Sequence, residues 1–521
     1  MEPETLLAGA AEFPVRTKIV ATVGPASESQ EALHRLVDAG VNVFRLNFSH
    51  GTLDEHAERV RRIRAVAAER RTPLGILGDL QGPKIRIGKV SGDGIMLEAG
   101  QEVIIRRGVP EAFVADDGVA VFGTTFEAII DAVDPGQRVL INDGAIRMLA
   151  IECERAAEAG ELRCRVTVGG LVTSAKGINL PETDLKTETL SKKDLACVEF
   201  AVEHHFDFLA LSFVRAAEEI RELKTLLRGM CSADASYDER EAGGATIPVV
   251  SKIERPQALE NLESIVDASD AVMVARGDLG VEMDIARTPS AQKRIIETCK
   301  RWGKPCIVAT QMLETMVEST MPTRAEASDV ANAIFDRADA VMLSAETATG
   351  KHPDLVVETM RRIIRESERY LASKANRATP PDELQRLRDV EAAIAHGAWH
   401  VVQDLGAKLA VCWSQVGRMA RYLSQNDIPA PIVAFSSSKL WARRMALLSN
   451  VTPVRNPPPE TGRLSDWTDL VEEFLRERNW VSDGDIVVLL AGKPLGDPRA
   501  VNTIAVLRIG EATSGFRTHD S

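Results

Sequence analysis

At 521 residues the chain exceeds one ordinary domain and has room for three. Its 45% hydrophobic content supports large cores, mainly aliphatic at 4% aromatic, and a net charge of −13 with no offsetting basic stretch argues against nucleic-acid binding. Seven cysteines, scattered and without a CxxC pair, argue against a disulfide framework or a zinc site.

The first 13 residues are acidic and lack the basic start and apolar core of a signal peptide. No apolar run reaches membrane-spanning length, so a soluble cytoplasmic protein with a short tail, residues 1–14, is expected. Apolar runs of strand length then stop at a polar or charged residue eight times before residue 350, at 17–23, 41–46, 74–79, 207–212, 248–252, 271–276, 305–310 and 340–344. Helix-period sequence separates most of them, as at 31–39, 54–70, 188–204 and 289–302. Strands apolar on both faces and alternating with helices predict an α/β fold, a (β/α)8 TIM barrel over 15–87 and 186–375. Between the third and fourth strands, residues 88–185 break the rhythm. Short alternating stretches at 102–107, 138–141 and 162–168, with turn signals such as Asn142-Asp143-Gly144, predict an inserted small β-barrel domain. An insertion there lies above the barrel rim and is expected to act as a lid. The polar segment 228–245 reads as a surface loop, and the last barrel helix is expected to end near residue 375, before Thr379-Pro380-Pro381. Strand-like runs at 409–412, 431–435, 485–491 and 503–508 predict a C-terminal α/β domain over 376–521, suited to effector or oligomer contacts.

Barrel enzymes keep their chemistry on the rim formed by the C-terminal strand ends. Here those ends read Arg45, Asn47, Ser49 and His50, then Asp79, Ser212, Lys252 and Glu254, Arg276, Gly277 and Asp278, Thr310, and Ser344 with Glu346. Such a set suits a phosphorylated acid and a divalent metal. Glu254 and Asp278 end consecutive strands, roughly 5 Å apart, so both carboxylates can reach one cation. Hard oxygen donors without His or Cys favour Mg²⁺ or Mn²⁺ over zinc. The plainer alternative pairs these acids with Lys252 and Arg276.

Six stretches carry a family resemblance: TKIVATVGPAS from Thr17, RLNFSHG from Arg45, SKIE from Ser251, MVARGDLG from Met273, ATQM from Ala309 and MLSAET from Met342. In this order they resemble the pyruvate kinases, densely over residues 15–365 and loosely beyond. The resemblance implies transfer of the phosphoryl group of phosphoenolpyruvate to ADP, giving pyruvate and ATP in the last step of glycolysis. It implies that Lys252 stabilises charge on the phosphoryl group and the enolate, and that Arg45 grips the substrate phosphate through its guanidinium fork. The Gly277 and Asp278 amides and the Thr310 hydroxyl would hold the substrate carboxylate, with Thr310 also relaying a proton to the enolate. Glu254 and Asp278 become ligands of Mg²⁺. His50, Arg86 and Lys176 match positions near the nucleotide, with Lys176 arriving as the insert closes. Ser344 and Glu346 are expected to orient the rim, and a homotetramer is implied.

The chain departs from the pattern in two places. Many pyruvate kinases require K⁺, and Asn47, Ser49 and Asp79 match its side-chain ligands. Potassium-dependent members carry Thr and Lys after that aspartate and Glu at the position of Lys84, whereas this chain reads Leu80-Gln81-Gly82-Pro83-Lys84. The Lys84 ammonium is expected to supply the charge of K⁺, leaving a vestigial monovalent-cation site and activity without potassium. The C-terminal loop from Cys412 to Arg418 lacks the usual Ser-Gly-Arg/Thr run, though Ser436, Ser437 and Ser438 follow, so regulation by fructose 1,6-bisphosphate is without its usual support. The stretch AETATGKH from Ala345 fits a Walker A loop incompletely and is set aside. Two other readings stay open. A barrel enzyme working on carbon–carbon bonds of pyruvate enolate has no use for Arg86, Lys176 or the insert. A non-catalytic sensor of phosphorylated metabolites has no evident need of Lys252, Glu254, Asp278 and Thr310 together.

Overall fold

The computed structural model describes residues 13–155, 160–183, 185, 188–233, 246–373, 389–493, 495–496 and 501–519. Eight parallel strands close a barrel: β1 (Lys18–Thr22), β2 (Val43–Asn47), β3 (Gly75–Asp79), β4 (Phe208–Leu211), β5 (Val249–Ile253), β6 (Ala271–Ala275), β7 (Cys306–Ala309) and β8 (Ala340–Leu343). Each falls on one of the eight expected runs, and the closed order is β1, β8, β7, β6, β5, β4, β3, β2. Alternation along each strand divides the core. Ile19 and Ala21 pack outward against the helices, while Val20, Val43, Leu77, Val250, Met273, Ile307 and Met342 fill the barrel.

The helix expected from residue 188 begins at Lys192 and runs to Glu203. Ser191 sets that start: its hydroxyl accepts the Asp194 amide at 3.1 Å, and the Asp194 carboxylate accepts the Ser191 amide at 3.0 Å. The other Asp194 oxygen accepts the Gln81 and Gly82 amides at 3.0 and 3.2 Å, so this helix cap also fixes the loop leaving β3. Residues 228–233 of the expected loop instead continue the helix Ala217–Ala233, while 234–245 lie outside the described residues. The last barrel helix is Pro353–Ser373; the break at Thr379-Pro380-Pro381 and residues 1–12 of the tail also lie outside.

Between β3 and β4 the chain forms an eight-stranded sheet and a two-stranded ribbon. By strand pairing the sheet is open, but residues 85–88 bridge its ends. Ile178 N donates to Ile85 O and Ile87 N to Lys176 O, at 2.9 and 2.8 Å on one side; on the other, Gly88 N donates to Gly123 O and Thr125 N to Arg86 O, each at 2.9 Å. The sheet therefore curls into a small barrel around Ile105, Phe122, Val139, Met148 and Leu162.

The C-terminal strands are β9 (Leu409–Trp413), β10 (Ile432–Ser436), β11 (Val451–Arg455), β12 (Ile486–Ala491) and β13 (Thr503–Arg508). They form one sheet in the order β11, β10, β9, β12, β13, with only the last pairing antiparallel and an apolar core on each face. This unit covers the N-terminal mouth of the barrel. Leu447 joins the interior apolar core, Lys18 Nζ donates to Val451 O at 2.8 Å, and Gln425 Nε2 donates to Asp339 Oδ1 at 2.9 Å. Among the described residues no helix is long and apolar enough to cross a membrane, and the seven cysteines are free thiols, all but Cys153 buried.

Candidate active site

The C-terminal ends of β2, β3 and β5 converge on one ion-pair network. Arg45 Nε donates to Asp79 Oδ2 at 2.7 Å, and Arg45 Nη1 donates to the Thr22 hydroxyl at 3.1 Å. Lys252 Nζ lies 2.9 Å from Glu254 Oε1 and 3.2 Å from Asp79 Oδ1, and donates to Ser212 Oγ at 2.8 Å. Glu254 is fixed from its other side by the Phe213 amide, 2.6 Å from Oε2. Phe213 needs φ = 57° for that approach, a left-handed conformation that costs an aromatic residue energy and so marks a constrained turn.

The end of β7 is strained in a similar way. Thr310 and Gln311 both have positive φ, 68° and 56°. Arg276, buried at the end of β6, holds them there: its Nη2 donates to Thr310 O at 2.7 Å and Gln311 O at 3.2 Å, while Nη1 pairs with Asp329 at 2.6 Å. The turn presents the Thr310 hydroxyl to the Gly277 amide, which donates to it at 2.8 Å. A Cβ on Gly277 would stand 3.3 Å from that hydroxyl oxygen, a tight contact that would press on Thr310. Glu346, fully buried, accepts the Leu313 and Ser344 amides at 3.2 and 2.6 Å and ties the loops after β7 and β8 together.

Electrostatics follow from this burial. Against its own desolvation, Lys252 is held well above the ordinary lysine pKa by Asp79, Glu254 and Asp278, so the ammonium stays charged. Against full burial, Lys252 and Arg45 hold Asp79 below the usual carboxylate range. Burial pushes Glu254 up to about 7; Lys252 opposes that shift and Asp278 adds to it. Asp278 itself makes no hydrogen bond or ion pair with a described residue and lines a narrow cleft with Pro83, Lys84, Asp143 and Arg255. Two neighbouring oxygen donors, one with an open carboxylate and the other carrying a pKa raised by burial, fit a hard divalent cation that would relieve their repulsion.

Lys84 is exposed and faces this cleft. It packs against Gly177, whose added Cβ would lie 3.2 Å from Lys84 Cε, and it forms no ion pair with Asp79. In the set Asn47, Ser49 and Asp79, the Asn47 side-chain oxygen accepts the Ser49 amide at 3.1 Å, while Asp79 Oδ1 is buried without a well-aligned hydrogen bond. Arg86 and Lys176 meet at the root of the insert, where Arg86 Nη1 donates to Ala175 O at 2.8 Å. His50 is exposed just beyond β2. No contact among the described residues joins His50, Arg86 or Lys176 to the Lys252 network. Sequence reasoning gave no role to Ser212, Thr22, the Phe213 amide or Asp194; of these only Ser212 carried a signal, its strand-end position. It also missed Asn179 Nδ2 donating to Glu282 at 2.8 Å, a direct tie from insert to barrel.

A closed parallel barrel with lysine, arginine and paired carboxylates buried on its C-terminal rim defines a barrel enzyme that handles an anionic substrate. Family models sharpen that class: "Pyruvate kinase, barrel domain" matches residues 15–357 and "Pyruvate kinase, alpha/beta domain" matches 392–507. The pyruvate kinase of Thermotoga maritima is 37% identical over 496 residues, 95% of this chain and 99% of the relative. That of Agrobacterium vitis is 39% identical over 495 residues, 95% of this chain and 97% of the relative. That of Mycobacterium tuberculosis is 37% identical over 496 residues, 95% and 99% of the two chains. The chain belongs to the pyruvate kinase family.

Proposed function

We propose that this chain transfers the phosphoryl group of phosphoenolpyruvate to ADP, with Mg²⁺ and without a requirement for K⁺. The observation that carries the reading is the Lys252 ammonium held among Asp79, Glu254 and Asp278, a fixed positive charge at the rim where a phosphoryl group and an enolate would both gain negative charge. Arg45, with Nε engaged by Asp79, keeps further N–H groups for the phosphate. The substrate carboxylate would be taken by the Gly277 and Asp278 amides and the Thr310 hydroxyl, exchanging the present bond between Gly277 and Thr310. The P–O bond to the enol oxygen breaks as the bond to an ADP β-phosphate oxygen forms, and the electron pair remains on the enolate. A proton then reaches the enolate carbon through water ordered by Thr310, giving pyruvate. Glu254 and Asp278 would hold Mg²⁺ or Mn²⁺, which supplies charge neutralisation for the phosphoryl oxygens. His50, Arg86 and Lys176 would meet the nucleotide, Lys176 as the insert, 88–185, closes. A cytoplasmic homotetramer through the C-terminal domain fits the family.

Potassium independence rests on Lys84, whose ammonium shares the cleft of Asp278. Pyruvate formation from phosphoenolpyruvate, ADP and Mg²⁺ is expected at full rate in sodium or choline buffer, with KCl adding less than about twofold, a negligible gain in barrier terms. Activity that appears only with KCl would keep the reaction and remove the role given to Lys84.

A further inference from the structure

We infer that His56 is a positioning residue for the nucleotide: from inside the protein it holds the turn that carries His50, and so fixes how that turn meets the phosphates of ADP. The inference rests on the placement of His50 at the nucleotide proposed above. His56 itself belongs to none of the six stretches that carry the family resemblance and to no strand end on the rim.

The turn runs from the end of β2 to the helix Leu53–Glu69 and presents Asn47, Ser49 and His50. Most of its bonds are local. Ser49 N donates to Asn47 Oδ1 at 3.1 Å, His50 N donates to Asn47 O at 3.2 Å, and Thr52 and Glu55 close a capping box at the helix start. His50 O is held differently: it accepts His56 Nε2 at 2.9 Å, from a residue only 2% exposed. The His56 ring stands edge-on to Phe48, with centroids 5.1 Å apart, and Phe48 packs in turn against Phe200 and Phe206. The bond therefore ties an exposed turn to the aromatic part of the barrel core. Gly51, at φ = 80°, lies close over this network: an added Cβ would stand 2.8 Å from Glu55 Oε2 and 3.6 Å from His56 Nε2.

Hydrogen bonding fixes the state of the imidazole. A carbonyl oxygen only accepts, so Nε2 carries the proton; Arg59 Nη1, which only donates, lies 3.4 Å from Nδ1, so Nδ1 is bare. Arg59 is itself aimed by Glu28, whose Oε2 lies 2.9 Å from Nε and 2.8 Å from Nη2. Burial lowers the His56 pKa from the ordinary 6.5, and Arg59 and Lys193 add to that shift while the His50 carbonyl and Glu55 oppose it. The ring is therefore neutral at physiological pH. Few side chains meet these demands. A carboxylate cannot donate to His50 O, serine and threonine are too short, and lysine would set a second cation against Arg59. Without the bond the turn keeps only its local ties, and His50 samples orientations that miss the phosphates.

Steady-state kinetics of the full chain with His56→Met and His56→Gln test this, because the two side chains share a length and only glutamine can donate to His50 O. His56→Met is expected to raise KM for ADP at least about fivefold and KM for phosphoenolpyruvate less than about twofold, a split that general loosening of the barrel would not produce. His56→Gln, whose amide can also accept from Arg59, is expected to return KM for ADP to within about twofold of wild type. His50→Ala should raise KM for ADP as well, and His56→Met added to it should cost little more, since both act through one turn. Equal rises in KM for both substrates, a methionine variant indistinguishable from wild type, or fully additive effects with His50→Ala would overturn the inference and leave the reaction standing. A wild-type chain that forms no pyruvate would remove the reaction and this inference together. Nitrogen-15 NMR of the histidine-labelled wild type, with the His56 signal assigned by its loss in His56→Gln, needs no altered protein to fold around methionine. A neutral ring protonated on Nε2 supports the inference; a proton on Nδ1, or a charged ring at neutral pH, overturns it.

Discussion

Replacing Lys252 by Met is expected to lower kcat for pyruvate formation by about 10³-fold or more, with a much smaller change in KM for phosphoenolpyruvate. The ammonium is buried, ion-paired with Asp79 and Glu254 and donating to Ser212, and among the described residues no other cation pairs with Glu254. Arg45 is committed to Asp79 through Nε and cannot swing across without breaking that pair. Substrate binding survives on Arg45 and the Gly277–Thr310 turn, while the charge that would meet the transition state is gone. Steady-state rates of variant and wild type, measured below the melting temperature of both, decide the matter. A kcat within about tenfold of wild type would show that Lys252 is only a structural counter-ion.

The second large effect falls far from the rim. Asp207→Ala is expected to destabilise the protein by about 3–5 kcal/mol, because it leaves two guanidinium groups at the barrel base without their shared carboxylate. Asp207 is fully buried. It accepts Arg443 Nε of the C-terminal domain at 2.7 Å, Arg64 Nη2 at 2.9 Å and the Ile76 amide at 2.8 Å. Against the penalty of burial, Arg443 and Arg64 hold its carboxyl below the ordinary value of 3.8. A carboxyl whose folded pKa is lowered stabilises the fold fully above its unfolded pKa and loses that contribution as pH falls through the folded value. The difference between wild type and variant in urea unfolding should therefore be largest near neutral pH and shrink below pH 3.8. A difference under about 1 kcal/mol at neutral pH would mean that the two domains do not depend on this triple for their packing.

What the sequence displays well is local. The barrel strands are apolar on both faces and stop at polar residues, so eight runs and their rim-facing ends could be read directly. Lys252 and Glu254 stand two residues apart on one strand, and their proximity needs no tertiary information. The hidden parts depend on long-range partners. Asp194 looks like an ordinary helix-cap acid, yet it also fixes the loop after β3 that leads to Lys84. Arg276 reads as one more rim cation, yet it holds the left-handed Thr310 turn across 34 positions of sequence. Asp207 reads as the start of a strand and turns out to be the counter-ion of a different domain. Residues 85–88, which join the ends of the inserted sheet, have too short a pattern to show as a strand. The helix start moved from 188 to 192 because a capping serine outweighed a helix-compatible run before it.

The most direct measurement is phosphorus-31 NMR of the purified chain with phosphoenolpyruvate, ADP and Mg²⁺. Loss of the phosphoenolpyruvate signal with equimolar growth of the γ-phosphate of ATP, and pyruvate in the same amount, is the expected result. Release of inorganic phosphate instead, or an unchanged spectrum from folded protein, would contradict phosphoryl transfer at the Lys252 rim.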